Sequence, residues 1–295
     1  MVFCNSVVHS LLVGLSVSAS LAPLNQPPDG QLIALPYASN SSDVPFFANI
    51  STQSVVNNSV DNALTIACNG RRFGTPLDLE SCRNVISNVV PSDKEESFGK
   101  RVTGQTSSFG CQLPYRWLSL DGACSIQVFL IAPATVAHVS TRKIKQAAQA
   151  VYNRCGAGNP SKGGIASNTG GDNHLAVVLS VTSYPNVECE NKQAPPIMSC
   201  NDITNDMYVS AEKTTFGPLG TDTDIDTPWL ITSSDDKCWA NLTSSGKDSS
   251  SWYKLWEATD AVAQMCIRRR RAGIARGLGD DGRLAVSLAY YAYKP

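Results

Sequence analysis

Apolar positions recur at helical spacing in several stretches of the chain. Leu77, Leu79, Cys82, Val85, Ile86 and Val89 form one face before Pro91 stops the run. Ile144, Ala147, Ala148, Val151 and Cys155 form a second, with Ser140 as N-cap and Gly156 as stop. Short β-rich runs cover residues 62–68, 113–120, 123–131 and 175–181, and Asp121-Gly122 joins the middle two as a hairpin. The order strand, helix, strand, strand, helix, strand predicts an α+β unit on the ferredoxin-like (split βαβ) plan. That plan is an antiparallel sheet with both helices on one face.

The pattern then returns. With Cys155 laid on Cys266, Ala147, Ala150 and Val151 fall on Ala258, Ala261 and Val262. Gly164-Ile165-Ala166 matches Gly273-Ile274-Ala275, and Leu175-Ala176-Val177 matches Leu284-Ala285-Val286. Pro114, Ser119, Asp121 and Cys124 match Pro228, Ser233, Asp235 and Cys238. A period of about a hundred residues predicts a duplicated unit rather than a short-repeat solenoid. Copy one spans 61–190 and copy two 199–295, with a proline-containing linker at 190–199. Copy two opens with Cys200-Asn201, an echo of Cys68-Asn69, and 201–227 lacks periodicity. It therefore reads as an eroded copy without its first helix. In the last strand Leu284, Val286 and Leu288 point one way and Ala285, Ser287 and Ala289 the other. The small face predicts that the two copies touch, sheet against sheet.

Composition places the protein. The 295 residues suffice for two cores. A net charge of −1 provides no field for nucleic acid. Residues 1–22 are free of charged side chains and read as a signal peptide cut near Ala22, with a buried helix as the alternative. Residues 23–60, rich in Pro, Asn and Ser, read as a flexible leader. Four sequons, at Asn40, Asn49, Asn57 and Asn241, fit a glycoprotein. Without Cys4, nine cysteines remain for disulfides in an oxidising compartment. Matched positions make Cys124–Cys155 and Cys238–Cys266 the economical pairs, with Cys82 joined to Cys189 or Cys111 and one thiol left over. No run reaches the ~20 apolar residues of a membrane helix.

Candidate chemistry is sparse. His138 and His174 sit in different elements, which disfavours zinc and a Ser-His-Asp triad. No cofactor or metal is expected. Asp172, Asp280 and Asp281 read as turn residues, with carboxylate acid–base or calcium chemistry as the alternative. The glycines at 163–164 and 273 follow a helix instead of opening one, so they read as a return turn rather than a phosphate cradle. Lys100-Arg101 reads as a solvated pair, with dibasic processing as the alternative. Arg268, Arg269, Arg270 and Arg271 suit a helix C-terminus. The sharper reading is a patch for an anionic surface, a glycan or a phospholipid headgroup. Trp252 and Trp256 read as core, with a sugar-facing surface as the alternative.

One resemblance is carried by Ser81-Cys82, Leu113-Pro114-Tyr115-Arg116, Ser119, Asp121-Gly122-x-Cys124, Cys155, Gly163-Gly164-x-Ala166, Leu175-x-Val177 and Tyr184-Pro185-x-Val187-x-Cys189. This pattern resembles uncharacterised cysteine-containing proteins secreted by filamentous fungi. The element order is also similar to killer-toxin-like fungal effectors. The signal, the cysteines, the sequons and the missing catalytic constellation lead to the expectation of a secreted, non-enzymatic fungal protein acting outside the cell as an effector or cell-surface binder. Its partner would be an extracellular protein, glycan or membrane surface. The alternatives are a secreted hydrolase using carboxylates and a wall-associated structural glycoprotein.

Overall fold

The computed structural model describes residues 64–101, 110–182 and 186–290. The signal, the leader and the sequons Asn40, Asn49 and Asn57 lie outside the described residues. The first half runs β1 (Thr65–Cys68), α1 (Gly70–Phe73), α2 (Leu79–Asn88), β2 (Glu95–Lys100), β3 (Cys111–Leu113), β4 (Tyr115–Leu118), β5 (Cys124–Leu130), β6 (Val136–Ser140), α3 (Thr141–Gly156), β7 (Gly164–Ser167) and β8 (Leu175–Val181). The second half runs β9 (Val187–Gln193), α4 (Ile197–Asp206), β10 (Lys213–Pro218), β11 (Ile225–Thr227), β12 (Trp229–Thr232), β13 (Cys238–Ser244), β14 (Asp248–Ser251), α5 (Trp252–Met265), β15 (Arg271–Leu278) and β16 (Leu284–Tyr290).

The two halves share one architecture. A five-stranded antiparallel sheet is ordered β1-β7-β8-β5-β4 in the first and β9-β15-β16-β13-β12 in the second. A three-stranded sheet accompanies each, β3-β2-β6 and β11-β10-β14. This departs from the ferredoxin-like plan: the first strand lies at the edge, and β7 stands between it and β8. Four-residue β7 and polar β2 are too short or too hydrophilic to show a period of two, which is why the pattern misses them. The second half also has its first helix. In α4, Ser199, Cys200, Ile203 and Thr204 are buried, a polar-rich face that hides the helical period. The supposed linker, 190–199, holds the end of β9, which pairs with β15, and the start of α4, so Cys189 belongs to the second sheet.

The disulfides repeat as well, in a different pairing from the expected one. The bridges are Cys68–Cys155 and Cys82–Cys124, then Cys189–Cys266 and Cys200–Cys238. Each joins a late cysteine to an early one rather than two late ones. The bridges tie α3 to β1 and β5 to α2 in the first half, and the end of α5 to β9 and β13 to α4 in the second. Cys111 is also disulfide-bonded, so no described cysteine is a spare thiol.

The matched residues find their reasons here. The Asp121 carboxylate accepts from Ser119 Oγ at 2.5 Å, from Ala123 N at 3.1 Å and from Ser81 Oγ on α2. Asp235 repeats this with Ser233 Oγ at 2.8 Å, Lys237 N at 3.2 Å and Ser199 Oγ on α4 at 2.8 Å. The bonds from Ser233 and Ser199 hold the Asp235 carboxyl down at about 2. The repeated Ser-x-Asp motif thus clips the hairpin to the first helix. Gly164 and Gly273 lie inside strands, not in a return turn. An added Cβ would stand 2.7 Å from Cys155 Sγ in one and from Cys266 Sγ in the other. Gly164→Ala or Gly273→Ala should cost about 1–3 kcal/mol, read as a lower denaturant midpoint.

Helices α2 and α3 pack together on one face of the first sheet, with Ile126, Val128, Val177 and Leu179 beneath them. Ser140 caps α3 by accepting from Lys143 N, and Ser251 caps α5 by accepting from Lys254 N. In the second half, Leu284, Val286 and Leu288 pack under α4 and α5. The halves do touch, but not sheet to sheet through small residues. The outer face of β4 and β5 rests on α5. That helix is buried nearly all round because it lies between two sheets. The layers run helices, sheet, helices, sheet.

Candidate functional site

A cleft opens at the seam between the halves. Register puts Arg116 beside Gln127, and Leu118 beside Ser125, on the face turned toward α5. Arg116 is buried. Its Nε donates to Asp260 Oδ2 at 3.1 Å and its Nη1 to Glu257 Oε1 at 3.1 Å. Nη2 donates to the Glu257 carbonyl at 2.8 Å. Gln264 completes the clasp on strand β4. Its Oε1 accepts from Leu118 N at 2.7 Å, and its Nε2 donates to Arg116 O at 2.9 Å. Gln127 Nε2 donates to Tyr253 Oη at 3.0 Å. The backbone edge of β4 is thereby satisfied by a side chain of the next layer.

Arg101 enters the seam from the end of β2. Its Nη1 donates to Thr204 O at 2.6 Å and Met207 O at 2.8 Å, and its guanidinium lies 5.8 Å from the Trp256 ring centre. Its Nε is buried without a partner. Burial brings its pKa down to about 10, against the pull of Asp206 and Asp260. Trp256 is also approached by Arg116, at 5.5 Å, and donates Nε1 to Thr204 O at 3.0 Å.

Around the mouth stand Asn201 and Asn205 of α4 and Arg268 just beyond α5. Their side chains have no hydrogen-bond partner among the described residues. Burial lowers the Arg268 pKa while Tyr115 and Asp260 oppose it, and burial raises those of Tyr115 and Glu257. Several perturbed groups thus meet at one seam, the pattern expected of a binding or reactive site. The carboxylates of Glu257 and Asp260 are committed to Arg116. The donors facing the opening are not committed.

The residues singled out in the chain scatter. Arg268 faces this cleft. Arg269 Nη2 donates to Leu120 O at 2.9 Å, and Arg271 Nη2 to Cys189 O at 2.5 Å. Arg270 adopts a left-handed φ of 62° and is exposed. All four lie beyond α5: Arg268 and Arg269 sit in a 3-10 turn, Arg270 reverses the chain and Arg271 opens β15, so they make different contacts. Arg101 is not a solvated cation, since its side chain is buried against Thr204 and Met207. His138 Nδ1 lies 3.1 Å from Asp172 Oδ2, and His174 Nδ1 lies 3.5 Å away, in an exposed turn far in sequence from the seam. Asp280 pairs with Lys213 at 2.6 Å, and Asp281 sits in the turn before β16. Trp252 and Trp256 are core. Asn241 lies on β13 of the second sheet.

Nothing in their spacing marks Arg116, Glu257, Asp260 and Gln264 as a cluster in the sequence. Their signal is the stretch 252–266 itself, apolar on nearly every face yet interrupted by Asp260 and Gln264. Such a helix needs a polar partner on its second side. The described residues contain no cluster able to hold a metal ion, and none of their helices is long and apolar enough to cross a membrane. Compared with known proteins, the chain matches no family model, no curated protein and no solved structure.

Proposed function

We propose that this is a secreted binding protein that works outside the cell, as an effector or cell-surface binder, through the cleft between its halves. Four disulfides suit an oxidising compartment, and the resemblance to secreted fungal proteins points the same way. The repeated order of strands, helices and bridges supports an origin by duplication of one α+β unit, with the seam created when the copies packed. The observation that carries the reading is the set of unpaired donors at the seam: Arg268, Asn201 and Asn205. A ligand with a carboxylate meets an arginine fork flanked by carboxamides there.

The test is binding of the secreted protein to an array of uronic-acid glycans and acidic peptides. Arg268→Ala should weaken the best ligand about tenfold or more, the worth of a charge-assisted hydrogen bond. Arg270→Ala should leave it unchanged. Equal loss in both variants would put the site elsewhere. Turnover of a glycan, ester or peptide that vanishes in Glu257→Gln would replace this reading with hydrolysis by carboxylates.

A further inference from the structure

The outer face of the first sheet is covered along its whole width. At the β4 end α5 lies on Arg116, Leu118 and Gln127, and at the other end Phe73 of α1 packs on Ile165, Ala176 and Val178. The same face of the second sheet has neither cover among the described residues. Only residues 194–196 join β9 to α4, so α1 has no counterpart between them, and β16 is the last described element. Register puts Leu230 and Asn241 side by side where the first sheet has Arg116 and Gln127, and Ser287 where it has Val178. Leu230 is 47% exposed, whereas Gln127 is 8% exposed. An exposed leucine on an open sheet face invites association.

Asn241 stands midway along β13, beside the edge strand β12, and begins the sequon Asn241-Leu242-Thr243. The residue is half-buried, its Oδ1 is buried without a hydrogen-bond partner, and its amide makes no side-chain hydrogen bond. The neighbouring strand β16 offers only the small Ala285, Ser287 and Ala289 on this side, and Trp239, two residues before Asn241, reaches toward the end of β16 by donating Nε1 to Tyr290 O at 3.1 Å.

We propose that Asn241 carries an N-linked glycan that covers the outer face of the second sheet and ends the stack of layers there. The donor is a lipid-diphosphate-linked oligosaccharide. The glycosyl C1–O bond to the diphosphate breaks, the C1–Nδ2 bond forms, the amide gives up one proton, and the lipid diphosphate leaves. Transfer occurs on the extended, unfolded chain, so the folded protein needs only to accommodate the product. The first sugars then lie over Leu230 and the small residues of β16, where a helix lies in the first half.

The inference rests on the secreted reading above. The full chain is produced in a glycosylating eukaryotic host, and the medium is analysed by peptide mass mapping and light scattering. Retention of the chain inside the cell would sink the secreted reading. A secreted protein with unmodified Asn241 would sink this inference by itself. The expected result is an occupied Asn241 and a monomer. Thr243→Ala, which removes the sequon and keeps Asn241, should double the apparent mass at micromolar concentration or raise binding of a hydrophobic dye severalfold. Adding Leu230→Thr should reverse both effects. An occupied site whose loss changes neither mass nor dye binding also overturns the proposal.

Discussion

Arg116→Met should destabilise the protein by about 3–5 kcal/mol. The guanidinium serves Glu257 and Asp260 together, and its side chain is only 1% exposed. Removing it leaves two carboxylates in the seam without their cation. Burial already raises the Glu257 pKa, so that group has little solvent to compensate it. Coulomb attraction in the native seam offsets the desolvation of all three groups, and neither side is stable there without the other. Replacing the whole set, as Arg116→Met with Glu257→Leu and Asp260→Leu, should therefore recover most of the loss. Urea midpoints of the three proteins decide it, provided the m-value stays constant. A single variant within about 0.5 kcal/mol of the parent would mean that the seam is held by apolar contact instead.

The second large effect belongs to the bridge Cys68–Cys155, which closes a separation of 87 residues. Cys68→Ser with Cys155→Ser should lose about 2–5 kcal/mol, toward the upper end on the chain-entropy model because the loop is long. The bridge ties the edge strand β1 to the end of α3, and Sγ of Cys155 lies against Gly164 of β7. Its loss frees one edge of the first sheet as well as the denatured chain. Peptide mapping of the intact protein checks the pairing directly. Recovery of a peptide joining Cys124 to Cys155 would refute the connectivity described above. The shorter bridge Cys82–Cys124, at 42 residues, should matter less by a fraction of a kcal/mol.

Local pattern determined a good deal of this protein. The faces of α2 and α3, the Ser140 cap, the Asp121-Gly122 hairpin and the inward side of β16 all follow from period and capping chemistry. These depend on residues within a turn or two of each other. The internal repeat was also legible, because the Ser-x-Asp clip and the glycine under each bridge demand particular residue types. What the chain could not disclose was decided by contacts over long separations. Cysteine pairing depends on which Cβ atoms face each other across the sheet, and matched positions identify equivalent cysteines without naming partners. Helix α4 was hidden because its buried face carries Ser199, Cys200 and Thr204. The short strands are stabilised by their neighbours rather than by a period of their own. Arg101 and Arg116 look like surface cations until the second half is laid against the first. Their roles, and the cleft between them, exist only because α5 is shared by two sheets, and that arrangement is a property of the packed layers.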